Sequence, residues 1–369
     1  MRILEVELRE LRLPLREVFE ISTGARQDRR ILLLRVFGEE GRIGWGECVA
    51  AEDPGYSYET TETAWHILNE FLLPGLPGRE IEGPDEVLGH VPWVRGHPMA
   101  RAGIEMAIWD LQAKLLHMPL HELLGGTGDP LPVGVSVGLK PSDDALLRAV
   151  EGYLEEGYAR IKIKIKPGRD LEMLRAVRDR FPEALLMADA NSAYTLADTA
   201  RLRELDDLDL MMIEQPLGHE DLLDHARLQA ELETPICLDE SIRSLGDTRL
   251  ALELDAGRII NIKPGRVGGF AEALAIHDLC RTRGVPVWCG GMLESGIGRA
   301  HNLALATLAG FTLPGDISAS RRYWARDIVT PEFELRDGAM PLPEGPGIGV
   351  EPDLPRIEEL TVRTRRFGS

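Results

Sequence analysis

Lysine is scarce in this chain of 369 residues, in which only six of the 42 basic side chains are lysines. Four of the six lie in two short apolar segments, at Lys162, Lys164, Lys166 and Lys263. Arginine stays protonated in proteins, whereas a lysine can lose its proton when its surroundings lower its pKa. The few lysines are therefore candidates for proton transfer rather than for general surface charge.

Positive charge as a whole is also in deficit. The chain carries 61 acidic against 42 basic side chains, which gives a formal net charge of −19. Because nucleic acids and anionic membrane surfaces are bound through a surplus of Lys and Arg, this balance argues against both kinds of partner. A hydrophobic content of 44% is typical of a globular protein and argues against a disordered one.

Long apolar runs and paired cysteines are missing. No run approaches the roughly 18 residues that span a bilayer, and residues 1–5 alternate charged with apolar side chains, unlike a signal peptide. The four cysteines, Cys48, Cys237, Cys280 and Cys289, form no C-x-x-C pair and no zinc spacing. Free thiols in a reducing compartment are the expected state. We therefore predict a cytoplasmic protein that does not bind membranes.

The pattern of apolar residues divides the chain into three sections. Residues 1–125 mix strand-like alternation with helical periods, and they hold two polar stretches, 19–30 and 51–57, that we interpret as loops. Glycines and a proline at 125–130 mark a boundary. No G-K-[ST] follows them and no G-x-G-x-x-G is present, which argues against a phosphate-binding loop. Beyond this boundary, strands alternate with helices up to residue 320, and short strand-like pieces follow.

Strand–helix alternation of this kind predicts right-handed crossovers and a parallel sheet. Seven or eight units within about 190 residues fit a closed barrel better than an open doubly wound sheet. The predicted fold is therefore α/β, with a modified (β/α)8-type TIM barrel of the (β/α)7β form over residues 126–320. Residues 1–125 are predicted to form an α+β capping domain, and residues 321–369 to pack back on it.

One ionisable residue recurs at the end of five successive predicted strands. These residues are Lys164, Asp189, Glu214, Asp239 and Lys263, at intervals of 25, 25, 25 and 24 residues. The carboxyl ends of barrel strands form the face on which active sites are built, so the five side chains are expected to line one cavity. A single acid after a strand is more often a helix cap or a solvated residue, but capping does not explain five charged residues in this register.

The order Lys, Asp, Glu, Asp, Lys predicts a metal site flanked by bases. Asp189, Glu214 and Asp239 would repel one another unless a cation binds them, and oxygen ligands favour Mg²⁺, or Mn²⁺ in its place, over Zn²⁺. We expect the flanking lysines to have lowered pKa values and to act as bases on a metal-bound substrate. Lys162 shares the inward strand face with Lys164, because side chains alternate along a strand.

Five further positions are candidates around this centre. Asn191 would support the metal or the substrate, Glu240 would act behind the metal ligands, and Ser136 would touch the substrate from the end of the first barrel strand. Gly291 and Met292 lie in a glycine-rich turn after the seventh strand, whose backbone amides could hold a substrate carboxylate. The same turn is equally compatible with a purely structural role, and both interpretations stay open.

Five short motifs in this order resemble the enolase superfamily and, within it, the muconate-lactonizing subgroup. They are Lys162-Ile163-Lys164, Asp189-Ala190-Asn191, Glu214-Gln215-Pro216, Asp239-Glu240-Ser241 and Asn261-Ile262-Lys263. The longer segments 261–269 and 288–299 are similar to the o-succinylbenzoate synthase / N-acylamino acid racemase family. The resemblance covers nearly the whole chain.

The resemblance implies a Mg²⁺-dependent enzyme that removes the proton α to a carboxylate and stabilises the resulting enediolate. The three carboxylates would bind the metal. In a syn dehydration Lys164 would be the base and Lys263 would stabilise the intermediate, whereas in an N-acylamino acid racemisation the two lysines would act on opposite faces. Lys162 would polarise Lys164 and hold the substrate carboxylate. The two cap loops, 19–30 and 51–57, would close over the acyl or succinyl tail, with Phe19 in contact with substrate.

The resemblance also implies a homo-oligomer that acts on a small carboxylate in menaquinone biosynthesis or amino acid metabolism. Both reactions use the same residues, so the sequence does not choose between them. Dipeptide epimerisation ranks lower, because Asp316-Ile317-Ser318 lacks the second Asp that usually binds a dipeptide ammonium. Muconate cycloisomerisation also ranks lower, because the turn at 290–296 fits the acylamino acid family better. From other classes, a metal-dependent hydrolase and a non-catalytic binding barrel are alternatives that the paired lysines disfavour.

Overall fold

Alternating apolar residues near the N-terminus form an antiparallel sheet in the computed structural model, which describes residues 1–21 and 24–368. The first three strands are β1 (Glu5–Ile21), β2 (Gly24–Phe37) and β3 (Ile43–Cys48). Strand β2 lies between the other two and pairs with both. Apolar side chains of one face, such as Leu8 and Leu34, are fully buried against the cap helices.

Three α-helices come next in the described part of the cap, with a π-helical turn (Leu68–Leu72) and a 3-10 helix (Pro84–His90) between the first two. They are α1 (Thr61–Ile67), α2 (Pro98–Leu115) and α3 (Leu120–Leu123). Thr60 caps α1 by accepting a hydrogen bond from the N–H of Thr63. Pro98 is the first residue of α2, where a backbone N–H would have no partner within the helix, so the N–H that proline lacks is not missed. Strand β3 lies directly on α2 because Gly46 has no side chain. A Cβ at this position would come within 2.1 Å of the carbonyl oxygen of Gly103.

The prediction of a loop over residues 19–30 is wrong wherever the structure describes this stretch. Apart from residues 22–23, which lie outside the described residues, it continues β1 and β2 as a long hairpin in which Phe19 pairs with Arg26. Backbone pairing does not depend on side-chain polarity, so a polar stretch that adjoins a well-paired hairpin can extend it. The second predicted loop, 51–57, does connect β3 to α1 as a loop.

Strands and helices alternate from residue 131 to residue 306, as the apolar pattern predicts. The elements are β4 (Leu131–Pro132), β5 (Gly134–Val137), α4 (Asp143–Glu155), β6 (Arg160–Lys164), α5 (Leu171–Arg180), β7 (Leu186–Asp189), α6 (Thr199–Arg203), β8 (Ile213–Glu214), α7 (Leu222–Glu231), β9 (Ile236–Leu238), α8 (Leu245–Glu253), β10 (Ile259–Ile262), α9 (Pro264–Val267), α10 (Phe270–Arg283), β11 (Val287–Cys289) and α11 (Gly296–Ala306). Serine side chains cap several of these helices, including Ser142 before α4 and Ser244 before α8.

Strands β5 to β11 form one parallel sheet in chain order. The segment after α11 closes the sheet into a barrel. The N–H of Asp316 donates to the carbonyl of Cys289 in β11 at 2.9 Å, and the N–H of Gly134 in β5 donates to the carbonyl of Gly315 at 2.7 Å. Seven strand–helix units are thus completed by a final extended segment, and the predicted fold class is confirmed.

The remaining elements of the described chain are β12 (Val329–Thr330), β13 (Ala339–Met340), β14 (Glu351–Pro352), α12 (Leu354–Leu360) and β15 (Thr361–Phe367). Strand β12 pairs with β14 and β13 pairs with β4, whereas the last strand returns to the cap. Strand β15 pairs antiparallel with β1, so the cap sheet has the order β15-β1-β2-β3. Among the described residues, no helix combines the length and the apolar character that crossing a membrane requires.

Candidate active site

The five recurrent charged residues stand at one end of the barrel, at matching levels of neighbouring strands. In the parallel ladder, Lys164 of β6 pairs with Asp189 of β7, and Asp189 pairs with Glu214 of β8. Asp239 and Lys263 directly follow β9 and β10. The five side chains are buried, with residue exposures of 7% or less. Because parallel strands bring equivalent positions side by side, the interval of about 25 residues becomes an arc of charge at the barrel mouth.

A carboxylate holds the lysine at each end of this arc. Lys164 Nζ lies 2.6 Å from Asp189 Oδ2 and 2.6 Å from Asn191 Oδ1. Lys263 Nζ lies 2.7 Å from Asp239 Oδ2. Strands β7, β8 and β9 separate the two lysines, and both lysines line the same cavity. Two ammonium groups therefore face one space from different sides.

Lys162, two residues before the end of β6, joins three acids. Its Nζ is 3.0 Å from Glu214 Oε2, 3.1 Å from Asp189 Oδ2 and 2.5 Å from Asp316 Oδ2. Asp316 belongs to the segment that closes the barrel, and it also pairs with Arg160 at 2.7 Å. One buried ammonium thus links the carboxylate arc to the closing segment.

Lys162 and Lys263 differ from the prediction of lowered lysine pKa values. Burial opposes the charged form of both side chains, but neighbouring acids outweigh this effect. Asp316 and Glu214 hold the pKa of Lys162 well above its ordinary value. Asp239 raises the pKa of Lys263 in the same way. The ammonium and carboxylate groups stabilise each other's charge, so a lysine can act as a base only after its acid partner is engaged elsewhere.

The three predicted metal ligands converge without forming a closed ligand set. Asn261 Nδ2 donates to Glu214 Oε1 at 2.7 Å and to Asp239 Oδ1 at 3.1 Å. Lys162 links Glu214 to Asp189 from the other side. The described part of the chain contains no group of three His, Cys, Asp or Glu side chains arranged to hold a metal ion.

The chemistry of the three acids nevertheless suits a hard divalent cation. Asp189, Glu214 and Asp239 offer only carboxylate oxygens, and each residue is at most 1% exposed. Burial, followed by the charge of Asp189, raises the pKa of Glu214 to about 7. Repulsion among buried carboxylates is what a divalent cation relieves, and oxygen donors favour Mg²⁺. In chemical type, three buried carboxylates are therefore a donor set that fits Mg²⁺.

Two residues that the sequence did not single out complete the charge network. The hydroxyl of Tyr56, from the second cap loop, donates to Asp239 Oδ2 at 3.2 Å and accepts a hydrogen bond from Lys263 at 3.0 Å. Arg266 of α9 donates to Asp239 through Nη1 and to the carbonyl of Asn261 through Nη2 at 2.6 Å. Tyr56 lies in the predicted loop 51–57 and Arg266 in the motif segment 261–269. The sequence therefore pointed to both segments, but not to these two side chains.

Glu240 lies behind Asn191, which in turn contacts Lys164. Glu240 Oε1 accepts a hydrogen bond from Asn191 Nδ2 at 2.9 Å, while Asn191 Oδ1 accepts one from Lys164. Asn191 has a φ of 43°, a left-handed conformation that Asn tolerates better than most residues. Burial, followed by the charges of Asp239 and Asp189, raises the pKa of Glu240 to about 8. This acid therefore positions the amide that holds a catalytic candidate.

A cavity lies over the charged arc, between the barrel mouth and the cap. The five residues predicted to contact substrate all line it, namely Ser136, Asn191, Gly291, Met292 and Phe19. The cap also contributes Val49, Ala51 and Tyr56 to the wall. The cavity thus combines cationic groups from the barrel and from cap strand β2 with apolar and aromatic groups from the cap, which suits an acid with an organic tail.

Backbone amides of the glycine-rich turn after β11 are used within the protein. The N–H of Met292 donates to Glu294 Oε2 at 2.8 Å. The N–H of Ser295 donates to Glu47 Oε1, from cap strand β3, at 3.1 Å. These contacts favour the structural interpretation of the turn over an anion site, and they tie the turn to the cap.

The fold and this site define the class of protein. Residues 3–125 match the family model described as mandelate racemase / muconate lactonizing enzyme, N-terminal domain. Residues 145–357 match the model described as enolase C-terminal domain-like. The two matches cover most of the chain, which therefore belongs to the enolase superfamily, and the resemblance seen in the five motifs is confirmed.

Individual relatives are similar over nearly their whole length. The chain is 54% identical over 362 residues to an o-succinylbenzoate synthase from Geobacillus kaustophilus, covering 98% of this chain and 96% of the relative. It is also 54% identical over 365 residues to an N-succinylamino acid racemase from Thermus thermophilus, covering 99% of both. A crystal structure of an enolase-superfamily member from Listeria innocua matches with a TM-score of 0.96 at 45% identity, covering 100% of this chain and 99% of that one.

Proposed function

We propose that this protein removes the proton α to the carboxylate of a small substrate, with Mg²⁺ held by Asp189, Glu214 and Asp239. The observation that carries this proposal is the pair of lysines, Lys164 and Lys263, which line one cavity from opposite ends of the carboxylate arc. When bound, Mg²⁺ supplies positive charge that stabilises the substrate carboxylate as negative charge develops on it. Before a lysine can accept a proton, it must lose the contact with the carboxylate that keeps it protonated.

The two lysines carry the proton in both candidate reactions. In racemisation, one neutral lysine takes the α-proton and the other, as an ammonium, returns a proton to the opposite face, so that only the configuration changes. In the synthase reaction, Lys164 takes the α-proton and gives it to the departing hydroxyl on the same face, so that water leaves. Lys263 stays protonated there and stabilises the intermediate by its charge, while Lys162 polarises Lys164 and holds the carboxylate.

Both activities, o-succinylbenzoate synthase and N-succinylamino acid racemase, are part of the proposal. The same side chains serve each, and relatives at the same identity carry the two names. Comparison of kcat/KM on the synthase substrate, N-succinylamino acids and N-acetylamino acids ranks the two activities. Turnover of the synthase substrate alone would remove the racemase half of the proposal.

Exchange of the α-proton in D2O, followed by NMR on each enantiomer separately, tests the two-lysine assignment. We expect wild-type protein to exchange both enantiomers. Lys164→Ala should lose exchange of one enantiomer, and Lys263→Ala of the other, each by at least about 100-fold. Lys164→Arg should behave like Lys164→Ala, because arginine keeps the charge but cannot act as a base. Lys166→Ala, a half-buried neighbour beyond the end of β6, is the matched control and should keep both exchanges.

Full exchange of both enantiomers in Lys164→Ala or Lys263→Ala would contradict the assignment. A metal-dependent hydrolase, the candidate from another class, would instead cleave an ester or amide without exchanging any α-proton. A dipeptide epimerase is disfavoured because both Asp316 oxygens are paired with cations of the protein, Arg160 and Lys162, which would compete with a dipeptide ammonium.

Cytoplasmic location and a homo-oligomeric state complete the proposal. The four cysteines are all free and buried, which suits a reducing compartment. The oligomer rests on the family resemblance alone. Multi-angle light scattering of the purified protein tests it, and a monomer at micromolar concentration would contradict it.

A further inference from the structure

The o-succinylbenzoate synthase and the N-succinylamino acid racemase are both named after compounds with a succinyl group. This group carries a second carboxylate, remote from the reacting carbon. A substrate of this class brings two negative charges into the cavity. One cationic group of the cavity then has to meet the second charge. The cations that line the cavity are three barrel lysines and the arginines Arg26, Arg29 and Arg299.

Two of these arginines already bind backbone oxygens. Arg29 is 2% exposed, and its guanidinium donates to the carbonyls of Arg30 at 2.9 Å and Ala50 at 3.1 Å. Arg299 is 3% exposed and donates to the carbonyl of Glu294 at 3.1 Å. Breaking such contacts would leave buried acceptors without donors, which is costly. The barrel lysines are held by the carboxylate arc.

Arg26 is in a different situation. It pairs with Phe19 across the β1–β2 hairpin, and both side chains line the cavity. Its ion pair among the described residues is with Asp53 of the second cap loop, at 3.3 Å. The side chains are 19% exposed for Arg26 and 59% exposed for Asp53, so this contact is long, solvated and weak. An incoming carboxylate can therefore replace Asp53 at little cost.

The surroundings of Arg26 also favour an anion. Arg29 lies on the same strand, and burial, followed by the charge of Arg26, lowers its pKa to about 10. Two guanidinium groups are therefore close enough to repel each other, while Glu47 and Glu294 partly offset the charge of Arg29. A substrate carboxylate beside Arg26 gains one direct contact and a longer-range attraction from Arg29.

We propose that Arg26 binds the distal carboxylate of a dicarboxylate substrate and thereby determines specificity for succinyl over uncharged acyl groups. This assignment rests on the proposed function, because it presupposes a substrate whose α-carbon reacts at the barrel lysines. The α-carboxylate meets those lysines, and the distal carboxylate meets the cap hairpin. In the absence of substrate, Asp53 forms an ion pair with the Arg26 guanidinium, and it competes with the substrate carboxylate for this group.

Three N-acyl derivatives of one amino acid test this assignment: N-succinyl, N-acetyl and N-succinamoyl, in which a neutral amide replaces the distal carboxylate. Wild-type protein should prefer N-succinyl over N-succinamoyl. In Arg26→Gln this ratio of kcat/KM values should fall about tenfold, as expected for loss of a charge-assisted contact at a partly exposed site. Arg26→Lys should keep part of the preference. Asp53→Asn should raise the ratio about twofold, because a weak competing charge is removed.

Arg12→Gln is the matched control. Arg12 lies on the same hairpin and pairs with Asp28 at 2.6 Å, but its side chain is 63% exposed, so the ratio should stay at the wild-type value. An unchanged ratio in Arg26→Gln, or a wild-type protein that treats N-succinyl and N-succinamoyl alike, overturns the assignment and leaves the proposed function standing. Failure of the wild type to exchange the α-proton of any derivative removes the racemase half of the proposed function, and failure to turn over the synthase substrate as well counts against the proposed function itself. If Arg26→Gln does not fold, an Asp53→Asn ratio at or below the wild-type value overturns the assignment.

Discussion

The hydroxyl of Tyr56, a cap residue, lies 3.0 Å from Nζ of Lys263, a barrel residue 207 positions further along the chain. The same hydroxyl donates to Asp239, the acid that holds this lysine. Contacts of the second cap loop therefore reach the lysine at one end of the arc. Since Lys164 is held by Asp189 and Asn191 instead, a change at Tyr56 should affect the two lysines unequally.

Tyr56→Phe should slow the exchange that depends on Lys263 about tenfold more than the exchange that depends on Lys164. A tenfold change in rate is the size expected for the loss of one hydrogen bond to a charged group. The measurement is α-proton exchange in D2O with each enantiomer. Tyr58→Phe, a change at a largely exposed tyrosine in the same region, should leave both rates unchanged. Equal slowing of the two exchanges by Tyr56→Phe would show that the hydroxyl acts on something other than Lys263.

Mg²⁺ should stabilise the folded protein even without substrate. A ligand that binds only the folded state at 100 times its Kd adds about 2.7 kcal/mol to the free energy of unfolding. Glu214→Gln should reduce the resulting rise in Tm, because Glu214 is the central acid of the arc. Glu253→Gln, at an exposed residue of α8, is the control. A Mg²⁺-dependent shift that is the same in wild type and Glu214→Gln would place the cation elsewhere.

The arc of charge could be predicted because its spacing follows from the fold. Each strand–helix unit of a barrel has a similar length. The 25-residue interval between Asp189 and Glu214 therefore already predicts that they occupy equivalent positions at the ends of neighbouring strands. Tyr56 carries no such signal, because its neighbour Asp239 lies 183 residues away and only the packing of cap on barrel brings them together. The hairpin at residues 19–30 escapes prediction for another reason. Its pairing depends on the partner strand, which local polarity does not report.

The cap and the barrel are also joined by a helix cap. Glu105 of α2 is fully buried and accepts hydrogen bonds from the N–H groups of Phe270 at 2.7 Å and Ala271 at 2.9 Å, at the start of α10. Glu105→Ala should lower the free energy of unfolding by roughly 2–4 kcal/mol, because buried donors lose their acceptor and the helix loses its cap. Urea denaturation measures the change. Glu253→Ala, at an exposed residue of α8, should cost less than about 0.5 kcal/mol. A similar small cost for Glu105→Ala would mean that water replaces the carboxylate.

Asp170 should make stability depend on acid pH. Burial alone would raise its pKa, but hydrogen bonds from Arg201 and Tyr194 outweigh this, and the pKa is lowered from its ordinary value of 3.8. A lowered pKa stabilises the fold above pH 3.8 and loses that contribution as pH falls further. The difference in unfolding free energy between wild type and Asp170→Asn, measured by urea denaturation, should therefore be largest near pH 7 and shrink toward pH 3. A difference that stays constant over this range would show that the ionised form of Asp170 is not the one that stabilises the fold.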